Sequence, residues 1–459
     1  MNKSLINRMK NENYSLVSID LFSGPGGLCT GFKWAGILPL IAVEWTDTTV
    51  ETYSTTHDAE VFELDKHLSD ANYINDFIKE STKTLLIHGD INLVSSTMIK
   101  EFLLKRYGID SKSETVDVVS GGAPCESFSI AGTRTAGDER DDLFSNIIRI
   151  ARTVNTKAIL FENVRGMFSK AKDGVKGAIF QYICDTFEDP TPTPSYKLIS
   201  RKPDEVLLKA SDYGVPQARE RLFLVAIRSD LKNIDFSYPP KKYGENCEHP
   251  YITVGDAISD LPIVNSGEEC TTYSPQESYS NPYQEWFVSL MRGQSKDKDI
   301  NASIPKHLIE KGLFSETSIS AHKGPGHTKK KLMLLALINE RESMRSTYTR
   351  LVESGEIKKY RDLFPNTIYG SRNRRLLLDE PSFTVTSHCL DEILHPNLNR
   401  AITPREAARL QSFPDWYQFA GPYVAFHSAK EQDKYEQIGD AIPPLLAYAM
   451  AKQFVKALK

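Results

Sequence analysis

The sequence predicts an α/β protein with a doubly wound, mainly parallel sheet and a second, smaller domain. Three observations carry that reading. Short apolar runs alternate with amphipathic stretches through the first half of the chain, the pattern of strands joined by crossover helices. The alternation stops at Phe236–Tyr243, whose Pro-Pro-Lys-Lys core reads as a linker. Beyond it the charge is uneven: residues 323–375 hold 13 Lys and Arg against 5 Asp and Glu, a net of +8 in a chain of net charge -4.

In chain order, strands are predicted at Ser15–Phe22, Leu38–Glu44, Thr84–His88, Val116–Ser120, Ala158–Phe161 and Leu222–Ile227. Between them Leu28–Ala35, Thr48–Thr56, Met98–Tyr107 and Leu143–Val154 carry the helical pattern. A long helix is expected from Thr328 to about Leu351, opening on Lys329, Lys330 and Lys331. Gly439–Pro444 reads as a turn whose prolines suit a helix start, and Leu446, Met450, Phe454 and Leu458 then recur at helical spacing. The expected division is 1–248, 249–431, and a segment 432–459 that returns to complete the first domain.

Composition narrows the class. The chain has 459 residues, 40% hydrophobic and 25% charged, which is globular rather than disordered or collagenous. The near balance of 56 Lys+Arg and 60 Asp+Glu excludes a uniformly basic coat for nucleic acid and leaves room for a local basic patch. No apolar run approaches the roughly 20 residues of a membrane helix, and Met1–Tyr14 carries no apolar signal segment. The six cysteines form no Cys-x-x-Cys pair, which argues against a zinc site and against a disulfide framework. A reducing, cytoplasmic setting is expected.

The motifs that carry chemistry fall at the carboxyl ends of the predicted strands, where open α/β sheets bind ligands. The first strand runs into Asp20-Leu21-Phe22-Ser23-Gly24-Pro25-Gly26-Gly27. Glycines there allow a tight turn and close approach of backbone to ligand, and Phe22 can stack on an adenine ring. The spacing is not the dinucleotide Gly-x-Gly-x-x-Gly. The second strand ends at Glu44-Trp45, an acid that can take both ribose hydroxyls. The third ends at Gly89-Asp90-Ile91, where a carboxylate can accept from an exocyclic amine. Together these fit an adenosine-containing ligand that lacks a pyrophosphate.

The fourth strand ends at Gly121-Gly122-Ala123-Pro124-Cys125, which presents a nucleophile rather than a buried thiol. Glu126–Asp142, with Gly132, Gly137, Arg134 and Arg140, suits a lid. The fifth strand ends at Glu162-Asn163-Val164, whose carboxylate can donate or accept a proton across a cleft from the cysteine. In Gln217-Ala218-Arg219-Glu220-Arg221 two arginines at period 2 can grip a carboxylate, a carbonyl oxygen or a phosphate.

In their order and spacing these motifs resemble the C5-cytosine DNA methyltransferase family of the prokaryotic restriction–modification type. Arg405-Glu406-Ala407-Ala408-Arg409-Leu410-Gln411-Ser412-Phe413-Pro414 and Gly439–Pro444 extend the resemblance, so that it runs from residue 20 to 444. It implies a Rossmann-like catalytic domain, a target recognition domain holding the basic segment, and S-adenosylmethionine as methyl donor. By position, Phe22, Gly24, Gly26, Gly27, Glu44, Trp45, Asp90, Ile91, Pro124, Leu143 and Asp440 are expected to contact the donor. Cys125 would attack cytosine C6, Glu162 would hold the N3/N4 edge, and Arg221, supported by Arg219, would hold the O2 side of a flipped-out base. Ser127, Arg134, Arg140, Gln217, Lys330, Arg372, Arg374 and Arg375 are expected to face double-stranded DNA, the last three at phosphates or guanines. Arg405–Pro414 is expected to organise the recognition domain. A monomer on DNA with a cognate restriction endonuclease in the same cell is the expected setting.

Two positions depart from the family pattern. Glu126 stands where Gln is usual, and a carboxylate beside Cys125 disfavours the thiolate. Asp440 stands where Asn is usual, keeping an acceptor and losing a donor. The family's tRNA-methylating branch shares the catalytic set, but its Cys-Phe-Thr motif is absent. Inactive relatives lose the Cys or the Glu, and both are present here. A small-molecule methyltransferase would leave the basic segment unexplained.

Overall fold

The computed structural model describes residues 1–123, 143–172, 174–191, 193–273, 278–424 and 430–459. The chain divides into two compact units: Met1–Lys209 with Glu220–Pro240 and Pro444–Lys459, and Ala210–Arg219 with Lys241–Pro443.

The first unit is built on a nine-stranded sheet: β1 (Leu16–Leu21), β2 (Ile37–Glu44), β3 (Glu60–Glu63), β4 (Leu85–His88), β5 (Val118–Gly121), β6 (Ala158–Val164), β7 (Tyr196–Leu198), β8 (Leu207–Lys209) and β9 (Glu220–Arg228). The order is β8-β9-β6-β5-β1-β2-β4-β3, with β7 also on β9. From β6 to β3 every pairing is parallel, while β9 runs antiparallel to β6, β7 and β8. The sheet is covered on both faces. Ile41 and Val43 of β2 share one apolar cluster with Leu85 and Ile87 of β4, while Ala42 and Leu86 join Cys29, Val50 and Tyr53 in another. Alternating side chains thus go to opposite cores, so these strands read as unbroken apolar runs.

All six predicted strands are present. β3, β7 and β8 were not predicted: they are three or four residues long, and each contains a charged residue that leaves no apolar run of strand length. The final helix, Pro444–Leu458, packs on the helix Gly27–Ala35 that follows β1. Gly31 permits the close approach, since a Cβ there would collide with the Pro444 carbonyl, the Tyr448 amide and Ala447.

The returning segment starts at Pro444 rather than at 432, and the second unit begins at Lys241 rather than at 249. The helix Lys434–Asp440 stays with the second unit because Tyr435 donates to the Ile402 carbonyl (2.8 Å) and Gln437 to that of Ala420 (3.0 Å). Gly439 and Asp440 therefore end a helix instead of lying in a turn. Gly439 abuts the Thr386–Ser387 backbone, leaving no room for a Cβ.

The long helix expected from Thr328 is two helices, Lys329–Ala336 and Met344–Glu353. Arg341 takes a left-handed φ of 61°, the Glu342 carboxylate accepts from the Asn339 amide (3.1 Å), and Ser343 caps the second helix. Local side-chain acceptors of this kind compete with helix continuation. The second unit is cemented by buried ion pairs. Arg400 binds Glu406 at 2.7 and 2.8 Å, and Arg409 binds both Asp415 (2.6 and 2.7 Å) and Asp260 (3.0 Å). The Arg405 guanidinium is buried and donates to the Ser320 and Pro414 carbonyls.

Candidate active site

Three strand ends of the first unit set out the predicted ligand-binding residues. Past β1 the backbone turns sharply, with Phe22, Gly24 and Gly26 at φ of 55°, 54° and 99°. The space a Cβ would take at Gly24 is open, with nothing within 4 Å. Glu44, at the end of β2, stabilises this loop: its two carboxylate oxygens accept from the Gly24 amide (2.8 Å) and the Thr46 amide (3.0 Å). An ionised carboxylate has about four lone-pair sites, so both oxygens keep capacity for ligand hydroxyls. Trp45, beside it, is 45% exposed. Past β4, Asp90 is half-buried and accepts from the Asn92 amide (2.9 Å). Arg149 pins the same turn by donating to the Ile91 and Val94 carbonyls. Ile91 is buried, Leu143 packs half-buried against the core, and Gly27 opens the helix after the loop. An open backbone cradle, a preset acid, a ring at its side and a second acid suit an adenosyl ligand.

Asp20 was quoted in the motif but not singled out. Its carboxylate is buried, takes a hydrogen bond from Ser120 (2.9 Å) on one oxygen, and has no partner on the other among the described residues. Burial, reinforced by the charge of Glu44 and opposed by the Ser120 bond, pushes its pKa up to about 7.

The residues expected to act on the base lie at the ends of β5, β6 and β9. Glu162 near the end of β6 pairs with the Arg221 Nε of β9 at 3.0 Å, with side chains 12% and 13% exposed. Gly122, just past β5, backs the carboxylate: a Cβ there would stand 2.7 Å from Glu162 Oε2. Asn163 donates to the Ala123 carbonyl (3.2 Å), tying the end of β6 to the residue before Pro124-Cys125. The sequence motif contained Gly122 and Asn163 without marking either of these two contacts. Pro124, Cys125, Glu126, Ser127, Arg134 and Arg140 lie outside the described residues.

Other expected site residues are placed differently. Arg219 is buried in the second unit, donating to the Val385 and Gly439 carbonyls at 2.7 Å. Gln217, expected at DNA, is buried too, donating to Leu410 and Gln411 and accepting from the Val385 amide. Asp440 is exposed at its helix end and accepts from Gln432 (3.1 Å). Arg375, expected at DNA, is 7% exposed with its guanidinium bound to the carbonyls of Leu335, Ile338, His395 and Leu398. Lys330 and Arg372 are exposed, and Arg372 lies over the Tyr369 ring with Asp391 at 3.9 Å. Arg374 stacks on Phe383.

Residues 16–456 match the family described as C-5 cytosine-specific DNA methylases. The chain is 29% identical over 438 residues to the Type II methyltransferase M.DdeI of Desulfomicrobium norvegicum, covering 95% of this chain and 87% of that one. It is 29% identical over 492 residues to the Type II methyltransferase M.AgeI of Thalassovita gelatinovora, covering 96% and 99%. A crystal structure from E. coli, of a prophage-encoded protein assigned as a candidate DNA modification methyltransferase, shares the fold with a TM-score of 0.64 at 24% identity, over 97% of this chain and 99% of that chain. No helix among the described residues is long and apolar enough to cross a membrane.

Proposed function

This chain belongs to the C-5 cytosine-specific DNA methylase family, and we propose that it methylates C5 of a flipped-out cytosine at one duplex sequence through a covalent bond from Cys125 to C6. It is a DNA (cytosine-5-)-methyltransferase, an enzyme class that uses an S-adenosylmethionine-type methyl donor. Bound S-adenosyl-L-methionine supplies an electrophilic methyl group and leaves as S-adenosyl-L-homocysteine. Phe22, Glu44, Trp45 and Asp90 would hold its adenosine, with the Gly24–Gly27 backbone beneath it.

Cytosine C5 is a weak nucleophile while the ring is aromatic. Thiolate attack by Cys125 on C6 forms the S–C6 bond and pushes the C5–C6 π pair toward C5. Glu162 would bind the N3/N4 edge as electron density shifts, and Arg221 would hold O2. That π pair forms the bond to the methyl group; a base then takes the C5 proton, the C5–H pair re-forms the C5–C6 double bond, and Cys125 leaves as thiolate. The observation that carries the reading is the Glu162–Arg221 pair, seated against Gly122 at the carboxyl edge of the sheet. An acid held in place by a cation is what a base-edge clamp requires.

The first unit would then be catalytic and the second would carry target recognition. The relatives' Type II names support a modification enzyme; it would act as a monomer on DNA, with a cognate restriction endonuclease as its partner. The test supplies labelled S-adenosylmethionine with duplex DNA and with tRNA, using the intact chain and Cys125→Ser. Cys125-dependent label recovered as 5-methylcytosine in DNA is expected. Label in tRNA alone would overturn the DNA reading.

A further inference from the structure

The second unit contains a cavity of about 320 Å³ whose walls include Arg374, Leu376, Pro381, Ser382 and Phe383. Arg374 and Arg375 form a two-residue strand paired in parallel with Ile393–Leu394. Period-2 alternation sends their side chains to opposite faces. Both residues line the cavity, but the Arg375 guanidinium is taken up by backbone carbonyls, whereas the Arg374 side chain is not. The Arg374 guanidinium lies 3.7 Å from the centre of the Phe383 ring.

The Arg374 side chain has no hydrogen bond or ion pair among the described residues, and its Nε is buried without a partner there. Every other arginine of residues 323–375 is engaged. Arg341 pairs with Glu380, Arg350 with Glu342 and Arg372 with Asp391, while Arg345, Arg361 and Arg375 donate to backbone carbonyls. Ser382, 2% exposed on the same cavity wall, also has an Oγ with no partner. Buried donors without acceptors are costly to keep. Two of them facing one cavity point to an acceptor-bearing ligand.

The chemistry of the walls selects among acceptors. Phe383 covers one face of the guanidinium and leaves its in-plane N–H edge available. Glu342 and Glu380 also line the cavity, but each is already paired, with Arg350 and Arg341 respectively. The cap of the helix Met344–Glu353 is already closed by Ser343 and Ser346, which bond each other's backbone amides. A planar fork of donors stacked on a ring fits two adjacent acceptors in one plane. In duplex DNA that is the major-groove edge of guanine, O6 with N7; adenine and thymine offer one acceptor each there.

We propose that Arg374, held by Phe383, reads a guanine of the target sequence through the major groove and is a specificity-determining residue of this enzyme. The proposal rests on the DNA-methylating function proposed above. Phe383 is a positioning residue that fixes the plane of the fork.

The test uses the full chain and a pool of randomised duplexes, with methylated cytosines mapped by bisulfite sequencing. The unsubstituted enzyme defines the site; Arg374→Ala, Arg374→Lys and Phe383→Leu are then compared with it. In Arg374→Ala, discrimination at one G·C position is expected to fall by roughly 5- to 150-fold, with the other positions unchanged. Arg374→Lys keeps the charge but not the fork, and should relax the same position. Replacing that guanine by 7-deazaguanine should reproduce the loss for the unsubstituted enzyme, a readout independent of whether a variant folds. Weaker binding to every sequence, with a salt slope smaller by about 1, would assign Arg374 to a phosphate and overturn the proposal. Unchanged base preference in an active Arg374→Ala enzyme would overturn it as well. Failure of the unsubstituted chain to methylate any duplex would instead remove the function on which it rests.

Discussion

Gly122→Ala tests the proposed base-edge clamp without touching either charged group. A Cβ at this position would lie 2.7 Å from Glu162 Oε2, whereas ordinary contacts of this kind begin at 3.4 Å. The neighbours of Gly122 on that side are the Glu162 carboxylate and its own backbone carbonyl, so the carboxylate must withdraw by about 0.7 Å. The 3.0 Å bond to Arg221 is broken or rebuilt by such a shift. Misplacing a catalytic group by about 1 Å costs on the order of 100-fold in rate, equivalent to about 3 kcal/mol of barrier. Single-turnover methylation of a mapped DNA site should therefore slow by roughly 30- to 100-fold, while donor affinity and melting temperature change little. Glu162→Asp retracts the carboxylate by one methylene and makes room for the added methyl. The two substitutions should then couple, and the double variant should lose less than the product of the single losses. A rate within twofold of the unsubstituted enzyme, or strictly multiplicative losses, would refute the argument that Gly122 seats Glu162.

Four further outcomes follow from the geometry. Asp20, at about 7 in the folded chain against 3.8 as a free side chain, keeps a proton between those values that the unfolded chain has released. Stability therefore falls as pH rises through that window, by up to about 4 kcal/mol. Asp20→Asn should match the unsubstituted chain near pH 4 and exceed it above pH 7 in urea unfolding. Burial works to raise Glu406, but the hydrogen bonds and charge of Arg400 outweigh it and hold the pKa at about 2. Its stabilisation is present above about pH 4.5 and is lost toward pH 2, so Glu406→Gln should cost roughly 3–5 kcal/mol at pH 7, and less on acidification. Gly31→Ala should destabilise by roughly 1–3 kcal/mol through overpacking against the final helix, seen as a lower melting temperature with unchanged methylation pattern. Arg375→Ala should lower the melting temperature and leave base preference intact, because its donors serve carbonyls of its own unit.

What the sequence made legible follows from the range of the interactions involved. The parallel sheet could be read because strands buried on both faces show as apolar runs, a signal contained within each segment. Glu44, Asp90, Glu162 and Arg221 could be placed because each sits at or beside the end of such a strand, and strand ends are where this architecture binds ligands. The break between Lys329–Ala336 and Met344–Glu353 was harder, since Leu, Ile, Glu and Arg between the two helices favour helix. Only the acceptor of Glu342 and the cap of Ser343 stop it, and both bonds close across a few residues that the apolar pattern does not report. Arg374 and Arg375 mark the limit. They are adjacent, chemically identical and in one basic segment, so no local rule separates them. The separation comes from pairing with Ile393–Leu394, which decides the face each side chain takes. One arginine thereby becomes a core donor with every hydrogen bond satisfied within its unit, and its neighbour becomes a stacked cation with none. Charge counting over residues 323–375 identified the basic segment, but the net of +8 says little about where nucleic acid is read. Most of those cations already hold partners in the fold, and the one left without a hydrogen-bonding or ionic partner among the described arginines is the one whose removal should change sequence preference rather than stability.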